Sequence, residues 1–489
     1  MEKYIAKKRI EKIRTKFLNC PDLIVKDVVC GGKNISVIFI DEITNHEAIN
    51  ESILMPILRT KEKEITLTSL QEKVATLCNC EPIEEKDVEE KILRGFTILF
   101  LDGEEKALSF NTVSFATRSI QEPPTSTVIR GPREGFTETI KTNISLVRKR
   151  FPDKELNIEE LVVGERTKTK VDLIYFNDLV DKNIVDAIKK KLKNNKIDGV
   201  IDSFYIAKFL EDRPNSIFRQ LGNCEKPDIA CAKILEGRVL ILVDGSPIAL
   251  TLPFILFEDF QSANDYYWGD AHRVTLLRII RVLGLFIAIL FPGMYIVLQI
   301  YHYKVLPLKF LTTIIITTQN LPLNPFLEIF FIIILFDILF EASIRMPKYL
   351  GMAISIVGAL ILGDTAVKAG LVSPPGVMIV AMSAITVYII PNQSSQISTL
   401  RIVFAIIGGT LGLHGIILGM IFLINYLCNF DCFGTPYLAP YAPFISKDQK
   451  DFIIKDTLLD QKTRPASIPN NKENITRMKL QKDKNEKEQ

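Results

Sequence analysis

The residues of this chain that could do unusual chemistry are ionisable groups stranded in apolar sequence. Glu328, Asp337, Glu341, Arg345, Asp364, Lys368 and His414 fall between Val282 and Phe430, where long runs carry no Asp, Glu, Lys or Arg. Charge inside a membrane is costly, so it points to function by default. Asp337, Glu341 and Arg345 recur every four residues, a spacing that can set them on one helix face. Two readings stay open. Glu341 and Arg345 can form an internal ion pair that merely holds helices together, with Asp364 and Lys368 at interfacial depth. Alternatively Glu328, Asp337 or Asp364 lines a cation path, where acidic groups attract monovalent cations.

A second cluster is Arg130, Gly131, Pro132, Arg133, Glu134 and Gly135. Gly and Pro fix the shape of such a turn, and its two arginines give it a basic face. It can bind an anion through backbone N–H groups. It can equally clamp two domains by pairing with acids elsewhere, the commoner use of such charges.

Catalysis has little to stand on. His46, His272, His302 and His414 are scattered, and there is no GxxxxGK[ST], HExxH or GxSxG. The cysteines show no metal-ligand spacing with the histidines, and a disulfide framework is not expected. Cys428 and Cys432, at the end of the last apolar run, are the one pair placed where a bond could form. No catalytic residue, metal or cofactor is assigned, and the chain is not expected to be an enzyme. Its formal net charge of +3 over 489 residues argues against nucleic acid as a partner.

The positioning elements divide the chain in two. Up to Arg281 acid and base occur throughout. Beyond it, spans are expected at about 282–301, 328–341, 350–366, 374–391 and 402–427, since about 20 apolar residues cross a bilayer core. The 310–327 stretch is uncharged but broken by Pro322 and Pro325, which suits a short or re-entrant segment. The fold class expected is an α/β soluble region of two related subdomains followed by an all-α polytopic membrane domain. The boundaries are 1–120 for the first subdomain, 121–144 for a linker with the Arg-Gly-Pro-Arg motif, and 145–270 for the second subdomain. The transmembrane helices occupy 271–430 and a charged tail 431–489.

The two subdomains are a duplication. Lys91–Leu108 matches Lys233–Leu250, each an apolar strand, an Asp-Gly turn and a returning strand. Ser36–Asp41 resembles Asp172–Asn177, and each leads into a helical stretch, Asn45–Leu58 and Val180–Leu192. Asp102 and Asp244 read as hairpin turn residues. Thr137 reads as the N-cap of a helix burying Ile140, Ile144 and Val147.

Met1–Lys16 is charged and carries no apolar leader, and Arg273, Arg278 and Arg281 precede the first span. Basic residues gather on the cytoplasmic side, so the front half is expected there. Five spans would put the tail outside, whereas its excess of Lys over 447–487 argues for inside. Splitting Ile402–Phe430 into two short crossings would reconcile them. Gly408 with Gly412, and Gly415 with Gly419, are small-xxx-small pairs that permit close helix packing within or between chains. Asp265, Tyr266 and Tyr267, just ahead of the first span, suit a coupling element or an interfacial anchor. Disorder is expected past about Arg464.

Ile129–Glu138 with Thr142 and Asn143 resembles the signature of the A subunits of GerA-type spore germinant receptors. Val243–Pro247, Phe260–Tyr267, Glu341–Pro347, Ser355–Asp364 and Ala366–Ser373 fit the same family, and Gln261–Ala263 departs from a place where it often has Pro. The resemblance covers roughly 10–445. It implies a multi-pass protein of the bacterial endospore inner membrane, with its front region in the spore core. It also implies a permease-like B subunit and a C-subunit lipoprotein as partners, and oligomerisation, as a pentamer, into a gated cation channel. A solute transporter with a sensory domain and a non-conducting scaffold are the alternatives.

Overall fold

The computed structural model describes residues 6–17, 20–30, 32–59, 66–74, 80–114, 128–267, 270–345, 363–457, 461 and 463–471. The expected span at 350–366 lies mostly outside the described residues.

Runs rich in Val, Ile, Leu and Phe fold into two five-stranded sheets. The first contains β1 (Leu23–Cys30), β2 (Lys33–Ile40), β3 (Cys80–Ile83), β4 (Thr97–Leu101) and β5 (Ala107–Phe110). The second contains β6 (Leu156–Val163), β7 (Thr169–Phe176), β8 (Gly222–Cys224), β9 (Val239–Val243) and β10 (Ala249–Leu252). Their orders, β1-β2-β4-β5-β3 and β6-β7-β9-β10-β8, are the same topology twice, antiparallel throughout. The central strands are apolar on both faces because both are covered. In the first sheet Ile49, Ile53 and Ile57 pack on one face, and Ile10, Ile13, Val88 and Ile92 on the other. In the second, Ile184, Val185 and Ile188 cover one face, and Ile140, Ile144, Ala230 and Ile234 the other.

Both Asp-Gly turns close as hairpins, with Gly103 at φ 87° and Gly245 at φ 88°, a region glycine enters without a Cβ clash. Their aspartates have a further role. Asp102 Oδ1 accepts from Ala6 N at 2.7 Å, and Asp244 Oδ1 accepts from Ile140 N at 3.2 Å. Each therefore caps the helix that leads its own subdomain, Ala6–Lys16 or Ile140–Arg148. A carboxylate there satisfies an orphan N–H and meets the positive end of the helix. Thr137 is not the cap. The helix starts at Ile140, and Thr137 instead exchanges bonds with Asn143: its N–H donates to Oδ1 at 2.8 Å and its carbonyl accepts from Nδ2 at 2.6 Å.

Ala271–Ile300 and Ser394–Cys428 are each long and apolar enough to cross a membrane, and Leu308–Thr318 and Pro374–Val387 are shorter apolar helices. Pro325–Arg345 lies between them. The core of the second subdomain runs without a break into this region: Leu252, Phe254 and Phe260 share one cluster with Ala288, Phe404, Phe430 and Tyr437.

Ser394–Cys428 is not one rod. Gly412 has φ 62° and ψ −150°, outside helical space. A Cβ on Gly419 would lie 3.1 Å from Phe404 Cε1, although 15 residues of helix span about 22 Å. Both ends also reach the second subdomain. Gln393 donates to Asp259, Arg213 Nη2 donates to the Asn429 carbonyl at 2.9 Å, and Tyr426 meets Ser216 at 3.0 Å. The chain reverses at Gly412, and the tail emerges on the side of the α/β region. Arg401, which the expected spans leave between 374–391 and 402–427, lies within the first arm of this hairpin and is buried.

Past Arg464, where disorder was expected, residues 465–471 instead pack on the second subdomain. Asp448 accepts from Ala466 N and Ser467 N at 2.9 and 2.6 Å, and Asn471 N donates to the Leu179 carbonyl at 2.9 Å. Those bonds act together with Ile468, which is fully buried in a cluster with Ile255, Ala439 and Phe452. Cys428 and Cys432 are free thiols, the first exposed and the second buried.

Candidate functional site

The two subdomains meet through charge. Arg148, at the end of the Ile140–Arg148 helix, pairs with Asp22 through Nε at 3.0 Å and Nη2 at 3.1 Å, both side chains almost wholly buried. Lys141 Nζ and His46 Nε2 each approach Asp41 at 2.7 Å. Beside them one oxygen of Glu42 is buried without a hydrogen-bond partner. Burial, then the charges of Asp22 and Asp41, push the Glu42 carboxyl up to about 7. Burial and neighbouring Glu160 do the same to Asp172, also to about 7.

A raised carboxyl means the folded state holds its proton more tightly than the unfolded chain. The stability it contributes is complete below the ordinary value of 4.5 and is lost as pH rises through about 7. Glu42→Gln, which cannot ionise, is therefore expected to be more stable than the parent at pH 8. Partial solvent access trims the gain to about 1 kcal/mol, or roughly 2–4 °C. Thermal midpoints of the full chain at pH 4 and pH 8 check this. A difference identical at both values would show that Glu42 ionisation is not the cause.

Among the described residues, the arginines of the Arg130–Gly135 turn clamp no acid. Its acid makes the ion pairs: Glu134 meets Lys149 at 3.0 Å and Arg150 at 2.7 Å, and these charges hold its carboxyl low although burial opposes them. Arg130 and Arg133 are exposed, with no ion-pair partner among the described residues. Gly131, at φ 111°, lies under the Tyr267 ring, where a Cβ would come within 2.5 Å of the ring carbon Cδ2. Lys226 donates to the Pro132 carbonyl, and Gly135 is buried.

That contact leads to the junction with the helices. Asp265, on the short Ala263–Tyr267 helix, is 0% exposed. Its Oδ2 accepts from Arg281 Nη1 at 2.5 Å and Arg278 Nε at 3.3 Å, and its Oδ1 from Arg281 Nη2 at 3.0 Å. Arg278 and Arg281, three residues apart at the base of Ala271–Ile300, present both guanidinium groups to one carboxylate. The tail joins the same knot. Arg278 donates to the Phe452 carbonyl, Lys455 to the Asp265 carbonyl, and Gln261 Nε2 to the Asp451 carbonyl at 2.7 Å. Burial and the nearby Arg278 charge lower the Lys455 ammonium. Tyr266 bonds Gln261 at 3.2 Å and Tyr267 donates to Asp228. Just upstream, Glu258 pairs with Arg238 and Lys233, whereas Asp259 pairs with Arg219 and accepts from Gln393 at the hairpin entrance. Thus Leu256–Tyr267 ties sheet, helices and tail together.

Every stranded acid of the helical region has a partner. Glu328 is buried and accepts from Ser373 N at 2.7 Å and Ser373 Oγ at 2.6 Å, at the start of Pro374–Val387. Asp337 does not join Glu341 and Arg345. It pairs with buried Arg401 across to the hairpin and accepts from Ser398 Oγ at 3.1 Å. Glu341 pairs with Arg345, and Asp364 with Lys368, at 2.6 Å each on exposed faces. Gly408 abuts Gly293, where a Cβ would lie 2.8 Å from the Gly293 carbonyl oxygen. Gly412 sits on Tyr301, and Gly415 and Gly419 pack on Ile407 and Phe404 within the hairpin.

The sequence reading missed the Asp22–Arg148 and Asp337–Arg401 pairs, which join residues 126 and 64 positions apart. The three-residue spacing of Arg278 and Arg281 was the available signal for the Asp265 knot.

Tandem α/β lobes locked by buried charge to an apolar helical bundle define a membrane protein whose front region and helices are built as one unit. Residues 11–467 match the family described as "GerA: Bacillus/Clostridium GerA spore germination protein". The chain is 33% identical to Spore germination protein KA of Bacillus subtilis (strain 168), covering 94% of this chain and 86% of that one. It is 34% identical to the uncharacterized membrane protein YfkQ of the same strain, covering 94% and 91%. It also aligns with the crystal structure of the N-terminal domain of the A subunit of the Bacillus megaterium spore germinant receptor GerK3. That match has 27% identity and a TM-score of 0.41, over 51% of this chain and 94% of the other. The chain belongs to the GerA family of spore germination proteins.

Proposed function

We propose that this chain is the A-type subunit of a nutrient germinant receptor in the spore inner membrane. In this reading it oligomerises, as a pentamer, around a cation path and works with a permease-like B subunit and a lipoprotein C subunit. The observation that carries it is the Asp265 knot. A buried carboxylate bonded to two arginines of the first long helix, and to the tail, gives the α/β lobes a stiff purchase on the helical bundle. A subunit that converts an event at its front region into movement of its helices needs such a joint.

A second reading, a non-conducting scaffold, is favoured by the pairing of every described intramembrane acid within the single chain. Cation flux from liposomes holding the purified chain, with and without partner subunits and germinants, separates the two. The channel reading expects flux, altered several-fold by the double replacement Asp337→Asn with Arg401→Gln, which removes both charges and leaves no buried ion unpaired. Well-assembled protein that passes no cations under any condition would move the pore to another subunit.

A further inference from the structure

One exposed feature has no role in the joint described above. Ile129 is 75% exposed, and it directly precedes exposed Arg130 and the second exposed arginine, Arg133. We propose that the Ile129–Arg133 turn is a membrane-surface contact, with Ile129 seated in the interfacial layer and both arginines against the phosphates of anionic lipid headgroups.

Three observations carry this. First, the turn is rigid, because Ile129 N donates to Asn264 Oδ1 at 2.9 Å, Gly131 lies against Tyr267, and Lys226 holds the Pro132 carbonyl. An apolar side chain held outward on a pinned turn is not an accident of a loose loop. Second, the acid beside it, Glu134, pairs with Lys149 and Arg150, and neither Arg130 nor Arg133 has an ion-pair partner among the described residues. Third, its anchors, Asn264 and Tyr267, immediately precede the Ala271–Ile300 helix, whose exposed apolar face begins at Leu276 and continues through Ile279, Ile280 and Leu283. From Ala271 to Leu276 is about 8 Å of helix, close to the depth of one headgroup layer. Arginine forms paired bonds with phosphate oxygens, and each basic residue near an anionic surface adds about 1 kcal/mol. An apolar tip beside basic groups is the composition of an interfacial contact. The surface of a partner protein is the competing occupant, and the test separates it.

The full chain carrying Ile129→Cys and Cys428→Ser is labelled with an environment-sensitive fluorophore. It is placed in nanodiscs of phosphatidylcholine alone or with phosphatidylglycerol, and a Cys428→Ser parent supplies the labelling background. The expected result is a blue-shifted emission, quenched by lipids brominated near the headgroup, that strengthens with phosphatidylglycerol. Arg130→Gln with Arg133→Gln should reduce that dependence several-fold without changing assembly. Emission that stays water-like in both lipids, and is quenched only by a soluble agent, would overturn the proposal. So would a shift that requires an added partner subunit and is indifferent to lipid charge. Neither readout depends on ion flux, so failure here is separate from failure of the channel reading.

Discussion

Replacing Asp265 with alanine is expected to be among the most damaging single changes in the chain, at about 3–5 kcal/mol. Asp265 is wholly buried and is the shared acceptor of Arg278 and Arg281. Arg278 is itself 2% exposed, so the variant leaves a guanidinium in the interior with its principal counter-charge removed. The cost is that uncompensated charge, more than the lost attraction. The damage should spread along the knot. Lys455 and Phe452 reach the same place through the Asp265 carbonyl and Arg278, so the tail should loosen with it. Two measurements check this in the detergent-solubilised full chain: the thermal midpoint, and protease cleavage within 446–471. Asp265→Asn keeps the shape and part of the hydrogen bonding, and should fall between parent and alanine variant. An alanine variant with parental midpoint and an equally protected tail would remove Asp265 from the centre of the joint.

How much of this was legible beforehand depends on the range of the interaction. The duplication was readable because strand, Asp-Gly turn and strand are local, and Lys91–Leu108 repeats in Lys233–Leu250. It foretold two sheets of one topology. It did not reveal that Asp102 and Asp244 cap helices 96 and 104 residues earlier, since a turn propensity is satisfied without reference to what lies beside it. The stranded acids were found because charge in apolar sequence is conspicuous. Their partners were not, because four-residue spacing offers Asp337 to Glu341 and Arg345, whereas the fold hands it to Arg401 from another helix. The basic turn illustrates the same limit. Sequence marked Arg130–Gly135 as a fixed shape, but which charges face inward depends on Lys149 and Arg150, placed there by the following helix. The tail was misread because its anchors lie far away in sequence: Ile468 packs on Ile255 and Ala439, and its bonds run to Asp448, Leu179 and Val180.

Gly412→Val is expected to break the terminal hairpin, and with it the return of the tail to the α/β region. At φ 62° and ψ −150°, Gly412 occupies backbone space that is essentially closed to other residues, at a cost of about 1–3 kcal/mol for the strain alone. A Cβ there would also come within 3.2 Å of the Tyr301 ring. Tyr301 is not free to yield, because its hydroxyl donates to the Gly409 carbonyl at 2.9 Å and approaches that of Thr410 at 3.3 Å, two groups left open where the first arm ends. The alternative open to the variant is a continuous helix. Thirty-five residues would then span about 52 Å, well beyond a bilayer core, and the two ends could no longer both meet the second subdomain. The bonds from Arg213 to Asn429 and from Tyr426 to Ser216 would be lost together. A distance between spin labels at exposed Ser395 and Asn429 reads the outcome directly. It should be short in the parent and lengthen by tens of ångströms, or broaden, in Gly412→Val. An unchanged short distance in the variant would mean that the reversal is set by packing between the arms, through Phe404 and Gly419, and not by the backbone at Gly412.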